Sequence, residues 1–334
     1  MRRNISLALL WIGIIITALM VGCNKESGNF PKRIVGTIKL PLDSGPRVLA
    51  VSSDGNYVYV ANRKAENFTI IRTIDNKIIK SIEIDGVPER IAIAPDGRYA
   101  YLSNSESQFY GTLYTGGGVY IIRTSDYEVG PFLSVSAIMK DVAISPDGKF
   151  VYVVSNSNEC IYIKNTSTLW EETISLDNKS PYSIYITSDG KKLYVGSQKD
   201  GNVYVISTSD KKVIATISIG SEHLGIIGSP DGNFVYVTNT QDNSVSIIRT
   251  SDDQVFKTIK VGKNPSGIAI TPDNNYVYVT NLADDSVSVI RTSDNRVIAM
   301  IKVERQPNGI AISPNGKYIY VSNFASDSIS VIGY

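Results

Sequence analysis

The sequence predicts an all-β protein, a seven-bladed β-propeller with four antiparallel strands in each blade. Three observations predict it: a turn signal that recurs seven times, four short strand patterns between successive turns, and an N-terminal strand that supplies what the last repeat lacks. The composition agrees, because Tyr accounts for 20 residues and hydrophobic residues for 43% of the chain, whereas charged residues make up only 19%. Aromatic and β-branched residues favour strands, and this balance excludes a disordered chain.

The recurring turn sets the length of the repeat. Its spacing is 42 residues except for one step of 51, which places a nine-residue insertion in the second repeat. A constant period over the whole chain indicates stacked or radial repeats rather than separate domains. The turns are Ser53-Asp54-Gly55, Pro95-Asp96-Gly97, Pro146-Asp147-Gly148, Ser188-Asp189-Gly190, Pro230-Asp231-Gly232, Pro272-Asp273-Asn274 and Pro314-Asn315-Gly316.

Each repeat contains four short strand patterns, here called a, b, c and d in chain order. The Pro-Asp-Gly turn joins a to b, because Pro fixes φ and Gly accepts a positive φ. A polar Thr-Ser-Asp-Asn turn joins c to d. The sixth repeat is the clearest, with a at Gly267–Thr271, b at Tyr276–Asn281, c at Ser286–Ile290 and d at Arg296–Val303. Four antiparallel strands in one repeat of this length make a propeller blade.

The two ends of the chain predict a closed ring. The seventh repeat stops after its strand c, Ser328–Ile332, and has no strand d. A matching strand d, Arg33–Leu40, precedes the first repeat. An open solenoid gives no reason for this arrangement, whereas a ring needs the N-terminal strand to complete its last blade and remove an exposed edge.

Strand b carries a family resemblance. Phe234-Val-Tyr-Val-Thr-Asn239 and Tyr276-Val-Tyr-Val-Thr-Asn281 resemble the YVTN-type β-propeller repeats, and the resemblance extends over about residues 33–334. Proteins similar to this are often secreted or surface-layer proteins of archaea and bacteria. The resemblance therefore implies adhesion or scaffolding, and it specifies the fold more closely than the function.

The N-terminus has the pattern of a lipoprotein signal peptide. Arg2 and Arg3 precede an apolar run from Ile5 to Val21, which ends at Gly22 and Cys23. Signal peptides of this kind are cleaved before a cysteine that becomes lipidated, so we expect a signal peptide at 1–22, lipidation of Cys23, a polar tether at 23–30 and the propeller at 31–334. The alternative is an uncleaved membrane anchor. Both interpretations predict an extracytoplasmic, membrane-anchored propeller at the cell surface or in the periplasm.

Charge and cysteine content restrict the partners. The formal net charge is +1 without a basic patch, so we expect no nucleic-acid partner. With Cys23 lipidated, Cys160 is the remaining thiol and no internal disulfide forms. We expect a monomer that is held at the membrane by its lipid and that binds an unknown protein or glycan of the cell envelope.

The insertion in the second repeat is the first candidate site. It lies between strands b and c, from Ser105 to Gly118, and places Phe109, Tyr110 and Tyr114 among glycines and hydroxyl residues. Such a loop offers an adaptable contact surface, so these aromatics are candidate partner-binding residues. The alternative is a loop that only covers its own blade.

The start of strand a supplies the other candidates. Blades 5 to 7 have glycine there, whereas blades 2 and 3 have Arg90 and Asp141, which adjacent blades should bring together at the channel mouth. They form either an ion pair that fills the channel neck or a polar ligand contact. His223, the single histidine, stands where most blades have proline; it is either incidental or part of the same binding face.

The residue inventory favours binding over catalysis. One histidine and no Cys-x-x-Cys-His, Gly-x-Ser-x-Gly or His-Glu-x-x-His motif predict no catalytic residue, no metal and no cofactor. We therefore expect an envelope binding or scaffolding module that serves adhesion or protein or glycan recognition. The alternative is a lactonase-like or other propeller hydrolase or lyase, with a polar site at the channel mouth built from Glu89, Arg90, Asp141, Glu222 and His223.

Overall fold

The computed structural model describes residues 29–334 except 106, 110–111, 115–116, 136, 169–170 and 221–222. It confirms the all-β, seven-bladed propeller, because seven four-stranded antiparallel sheets follow one another along the chain. Within the described residues the one helical segment is a 3₁₀ turn, Phe324–Ser326. No helix in this part of the chain is long and apolar enough to cross a membrane. The signal peptide and Cys23 lie outside the described residues.

The strands agree with the sequence pattern to within one or two residues at most ends. Blades 1 to 3 comprise β2 (Pro46–Val51), β3 (Tyr57–Asn62), β4 (Asn67–Arg72) and β5 (Lys77–Glu83); β6 (Val87–Ile93), β7 (Tyr99–Ser105), β10 (Gly117–Arg123) and β11 (Val129–Val135); and β12 (Met139–Ile144), β13 (Phe150–Ser155), β14 (Cys160–Asn165) and β15 (Glu171–Ser175). Blades 4 and 5 comprise β16 (Pro181–Ile186), β17 (Lys192–Ser197), β18 (Asn202–Ser207) and β19 (Lys212–Ser218); and β20 (His223–Gly228), β21 (Phe234–Asn239), β22 (Ser244–Arg249) and β23 (Gln254–Lys260). Blades 6 and 7 comprise β24 (Pro265–Ile270), β25 (Tyr276–Asn281), β26 (Ser286–Arg291) and β27 (Arg296–Lys302); and β28 (Pro307–Ile312), β29 (Ile319–Asn323), β30 (Ser328–Gly333) and β1 (Arg33–Lys39).

The ring closes as the sequence predicts. Strand β1 is antiparallel to β30, with Arg33 opposite Gly333 and Lys39 opposite Ser328, so the N-terminal strand is strand d of blade 7. Ile38 is then buried in a cluster that joins blade 7 to blade 1. Pairing of the two ends of the chain removes an unpaired strand edge from the last blade.

The hydrophobic core is divided among the seven blade interfaces. Each of seven buried clusters contains residues of two adjacent blades. Strand b contributes one tyrosine per blade to this core, and Tyr59, Tyr194, Tyr278 and Tyr320 are almost fully buried. Cys160 is buried between blades 2 and 3, where its thiol is a small filler, and burial raises the pKa of that thiol.

Strand d contains a β-bulge in every blade except blade 3. In blade 5, for example, the pairing with strand c shifts between Ile247 and Ile248. In blade 3, β15 pairs with β14 without any shift and is only 5 residues long. Blade 3 therefore differs from the other blades in the pairing of its strand d.

The insertion in blade 2 is more regular than the sequence predicted. We expected a loop from Ser105 to Gly118, but it contains a two-stranded hairpin of β8 (Ser107–Phe109) and β9 (Thr112–Tyr114). Ser107 lies opposite Tyr114 and Phe109 opposite Thr112. The backbones of Phe109 and Tyr114 therefore belong to this hairpin, their side chains are not described, and Tyr110 lies outside the described residues.

Candidate functional site at the channel mouth

Strand a begins with a β-bulge in all seven blades. In blade 1, Pro46 pairs with Asn62 but Val48 pairs with Ala61, so Arg47 is an extra residue without a partner in strand b. A bulge turns the extra side chain out of the alternating pattern of a strand. The bulge residues of blades 1 to 4 are Arg47, Glu89, Lys140 and Tyr182. In blades 5 to 7 two residues stand opposite one, and the position that corresponds to Arg47 is taken by Leu224, Ser266 and Asn308.

The first halves of the seven strands a surround one cavity on the axis of the ring. The cavity has a volume of about 230 Å³, and residues of strand a from every blade line it. Because strands alternate in direction, this mouth lies on the face that bears the b–c and d–a loops. Blades 1 to 4 place three charged residues and a tyrosine among the bulge residues, whereas blades 5 to 7 place a leucine, a serine and an asparagine there. After these bulge residues we call blades 1 to 4 the charged side of the mouth and blades 5 to 7 the neutral side.

Glu89 is the centre of the charged side. Its side chain is 1% exposed and forms a salt bridge with Arg47 of blade 1. Its Oε1 accepts a hydrogen bond from the Ser105 hydroxyl at 2.8 Å and lies 3.4 Å from Lys140 Nζ of blade 3. Burial alone would raise the pKa of Glu89, but Arg47 and Lys140 outweigh it and hold this pKa below its usual value. Glu89 is therefore an ionised carboxylate shared by three blades.

Arg47 also reaches across the mouth. Its Nη2 donates to the hydroxyl of Tyr182 in blade 4 at 2.9 Å. Burial lowers the pKa of the Arg47 guanidinium, and the charge on Glu89 opposes this shift. An arginine keeps its charge in such surroundings, so the guanidinium is a fixed cation beneath the mouth.

Arg90 and Asp141 form a second pair, as their positions in the repeat predict. Arg90 Nε lies 3.8 Å from Asp141 Oδ1. The backbone N–H groups of Val142 and Ile184 donate to the two carboxylate oxygens of Asp141, at 2.8 and 3.0 Å. Burial raises the pKa of Asp141, although Arg90 acts in the opposite direction. Asp141 thereby ties blade 3 to strand a of blade 4.

The neutral side of the mouth is closed by backbone packing. A Cβ at Gly225 or Gly267 would lie 2.4 Å from a carbonyl oxygen of the next blade, and one at Gly309 would lie 2.6 Å from the Arg47 carbonyl oxygen. The hydroxyl of Thr280 bridges the same gap, since it donates to the Asn308 carbonyl at 2.8 Å. Glycine is required here because neighbouring blades touch, and the space left by its missing side chain is already filled.

The other sequence-predicted site residues are only partly placed. His223 begins β20 and pairs with Asn239, as the prolines of other blades do, so its backbone is on the mouth face. The side chain of His223 is not described, and Glu222 lies outside the described residues. The sequence pattern did not point to Arg47, Lys140 and Tyr182. Comparing the residue that follows the d–a proline or its equivalent in each repeat would have revealed them.

Comparison with known proteins adds two observations. A family model described as the cytochrome D1 heme domain matches residues 189–306, which is less than half of the chain. No curated protein matches the chain. Among solved structures, hydrazine synthase of Kuenenia stuttgartiensis is similar with a TM-score of 0.77 and 20% identity, over 90% of this chain and 99% of that chain. The shared feature is the propeller. At this identity the likeness shows the fold alone.

The described residues at the mouth do not fit a heme. Heme iron takes an axial His, Met, Cys or Tyr side chain, and none of these types is among the residues that line the cavity in the described part of the chain. Tyr182, just beside it, has its hydroxyl engaged by Arg47. The glycines do not provide an open cradle, because a Cβ there would collide with the next blade.

Proposed function

We propose that this protein is an extracytoplasmic ligand-binding propeller and that the charged side of the channel mouth holds a small anion. The observation that carries the proposal is a pair of arginines at the mouth: Arg90 lines the cavity, and Arg47 lies behind it, between Glu89 and Tyr182. A guanidinium fork with several donors suits the oxygens of a carboxylate or a similar oxyanion.

The charge balance at the mouth favours an anion. Among the described residues of this cluster, Arg47, Arg90 and Lys140 contribute three positive charges, whereas Glu89 and Asp141 contribute two negative ones. The described charges of this cluster are therefore positive on balance. The cavity of about 230 Å³ lies below the range of roughly 300–1,000 Å³ that holds drug-sized ligands, which favours a ligand of few atoms.

The state of the two carboxylates favours binding over acid–base catalysis. Arg47, Lys140 and Ser105 occupy both oxygens of Glu89, and its lowered pKa makes it a weak base. Backbone N–H groups occupy both oxygens of Asp141. A hydrolase or lyase site at this mouth would need one of these groups to be released, so catalysis stays the alternative to binding.

The location outside the cytoplasm rests on the sequence. The charged and apolar segments that end at Cys23 support a lipid anchor on that cysteine, and the YVTN-like strand b supports kinship with secreted and surface propellers. The match to a heme-domain model favours a propeller that holds a small molecule over a general adhesion module. For that reason we place the primary site at the mouth instead of on the insertion hairpin.

Titration calorimetry with a panel of small mono- and dicarboxylates tests the proposal. We expect one site per chain, with affinity that falls as salt rises and that drops roughly tenfold or more in Arg90→Gln. Arg305→Gln is the matched control. Arg305 is exposed on the same face as the mouth but on blade 7, away from the charged side, so its substitution should leave binding unchanged. Failure of every carboxylate to bind, or equal loss in both variants, would refute the assignment. Product formation from any bound ligand would favour the catalytic alternative.

A second candidate function is heme binding, which the family-model match favours. His223 is the single histidine and lies within the matched residues, whereas the described residues at the mouth supply no axial ligand. An absorption spectrum of the purified chain, recorded during addition of heme, tests whether the chain binds heme. A Soret shift that disappears in His223→Ala would support the heme candidate, and an unchanged spectrum would exclude it.

A further inference from the structure

We propose that the groove between blades 2 and 3, on the face opposite the channel mouth, binds an extended peptide in which proline follows an aromatic residue. The proposal does not depend on the function of the mouth. It rests on a comparison within the molecule, because the equivalent groove between blades 6 and 7 already holds such a segment. That segment is Phe30-Pro31 of this chain.

The blade 6/7 groove, formed by Pro272, Tyr276 and Tyr278 of blade 6 and Pro314 of blade 7, shows how the segment is held. The Phe30 ring lies 5.0 Å from the Tyr276 ring, measured between centroids, and is buried in the core cluster of these two blades. The hydroxyl of Tyr278 donates to the Pro31 carbonyl at 2.9 Å.

The residue after the proline takes part as well. Lys32 N donates to the Gly333 carbonyl at 2.8 Å, and Lys32 Nζ lies 5.3 Å from the centroid of the Phe30 ring. The occupied groove therefore offers three contacts, an aromatic platform, a proline wall and a buried hydroxyl donor, and the segment adds a cation over its own Phe30 ring.

The blade 2/3 groove, formed by Pro95, Tyr99 and Tyr101 of blade 2 and Pro146 of blade 3, repeats this framework. Counting from the turn, Tyr99 corresponds to Tyr276 and Tyr101 to Tyr278. These residues line a cavity of about 550 Å³, which is within the range of ligand sites.

The side chains of the blade 2/3 groove are available for the same contacts. Tyr99, the platform, is 38% exposed. Tyr101 is 4% exposed, and its hydroxyl has no hydrogen-bond partner among the described residues, whereas the hydroxyl of Tyr278 binds Pro31. Burial raises the pKa of Tyr101, so this hydroxyl is a neutral donor. Because Tyr101 lines the cavity, its hydroxyl can bind an acceptor that arrives with a ligand.

The rim of the groove carries two aspartates. Asp96 and Asp147, each about half exposed, lie on the two turns that border it, and each pairs with a basic residue of its own turn, Arg98 at 3.8 Å and Lys149 at 3.6 Å. In the occupied groove the corresponding positions are Asp273 and Asn315, and the bound segment carries Lys32. By analogy with the bound segment, the expected ligand is an aromatic residue, then proline, then a basic residue, in extended conformation and on a partner protein.

A labelled peptide with the sequence Asn-Phe-Pro-Lys-Arg-Ile, that of residues 29–34, is the probe, and fluorescence anisotropy with the intact chain is the measurement. We expect saturable binding that weakens roughly tenfold or more in Tyr99→Ala and about three- to tenfold in Tyr101→Phe. Tyr101→Phe removes only a hydroxyl, so the fold is retained. Tyr318→Ala, at the same position of blade 7 and 44% exposed, is the matched control and should bind with parent affinity.

Four results would overturn the proposal. The first is absence of binding at millimolar peptide, and the second is equal affinity of Tyr99→Ala and the parent. The third is that Tyr276→Ala loses binding whereas Tyr99→Ala retains it. That result would mean that the peptide only displaces Phe30 from its own groove. Concentration-dependent dimerisation abolished by Tyr99→Ala would assign the groove to a second copy of the chain and would also overturn it.

Discussion

Arg47 donates to the hydroxyl of Tyr182 at 2.9 Å, and this hydrogen bond joins the first blade to the fourth across the channel mouth. The same guanidinium forms a salt bridge with Glu89 of the second blade. A propeller is otherwise held together by contacts between adjacent blades, so this side chain couples blades that share no interface. Its loss should therefore affect both the stability of the ring and the charge of the mouth.

A double-mutant cycle measures this coupling. Arg47→Met removes a partner of a buried carboxylate, and we expect a loss of about 2–5 kcal/mol in the free energy of unfolding. Adding Glu89→Gln removes the buried charge and should restore more than half of that loss. Urea denaturation followed by circular dichroism is the measurement. Arg291→Met, in an exposed pair with Asp294, is the control and should be neutral. Additive single and double variants would contradict the coupling.

The two carboxylates at the mouth should respond to acid in opposite directions. The pKa of Glu89 is lowered on folding, so its contribution to stability is present above its unfolded pKa, near 4.5, and is lost as pH falls through the lowered folded value. The pKa of Asp141 is raised by burial, so acidification relieves an unfavourable charge and adds stability.

Measuring the free energy of unfolding between neutral pH and pH 3 therefore distinguishes the contributions of Glu89 and Asp141. Compared with the parent, Glu89→Gln should lose less stability on acidification and Asp141→Asn should lose more. Parallel curves for all three proteins would show that neither carboxylate has a pKa changed by folding.

Blades 6 and 7 approach each other so closely at Gly267 that only glycine fits there without displacing them. A Cβ at Gly267 would lie 2.4 Å from the Asn308 carbonyl, so Gly267→Ala must push blades 6 and 7 apart, at a cost of about 1–3 kcal/mol. Gly36→Ala is the matched control, because its Cβ would have no neighbour closer than 3.7 Å. Thermal melting of both variants is the check. Equal melting temperatures would mean that the blades yield without cost.

Sequence periodicity was sufficient for the fold and insufficient for the site. The repeated turn and the missing strand d of the last repeat predicted the blades and the pairing of β1 with β30. The same periodicity could not reveal Arg47 or Lys140, because a bulge interrupts the alternation from which side-chain directions are inferred. Arg90 and Asp141 were found because each replaces a glycine that recurs in other blades. The hairpin from Ser107 to Tyr114 was missed because glycines and hydroxyl residues are typical of a loop.

Removal of the N-terminal strand should open the ring. Deleting residues 31–40 removes β1 and the buried Ile38 and Leu40, which leaves the edge of β30 unpaired and an apolar face exposed. The truncated protein should aggregate or lose its cooperative melting transition in calorimetry. A chain that starts at Asn29 keeps β1 and is the control. A cooperative transition at the parent temperature in the truncated protein would show that closure by β1 is dispensable.

The last prediction separates the insertion hairpin from the channel mouth. Ser105 must be kept in any exchange because its hydroxyl binds Glu89, and Gly117 must be kept because a Cβ there would lie 2.3 Å from the Asn104 carbonyl. Replacing residues 106–116 by Gln-Asp, the centre of the short blade 5 loop, removes Phe109, Tyr110 and Tyr114 and retains both contacts.

This exchange should leave the melting temperature and small-anion binding at the mouth unchanged. Binding of a macromolecular partner, identified by pull-down with the mature chain, should be lost, because aromatic residues in such loops usually dominate contact energy. Calorimetry measures the affinity for the anion and surface plasmon resonance the affinity for the partner, each in the parent and in the loop-exchanged protein. Unchanged partner affinity would show that the three aromatics are not the contact. Loss of anion binding would instead make the hairpin a wall of the mouth, and the two sites would then be one.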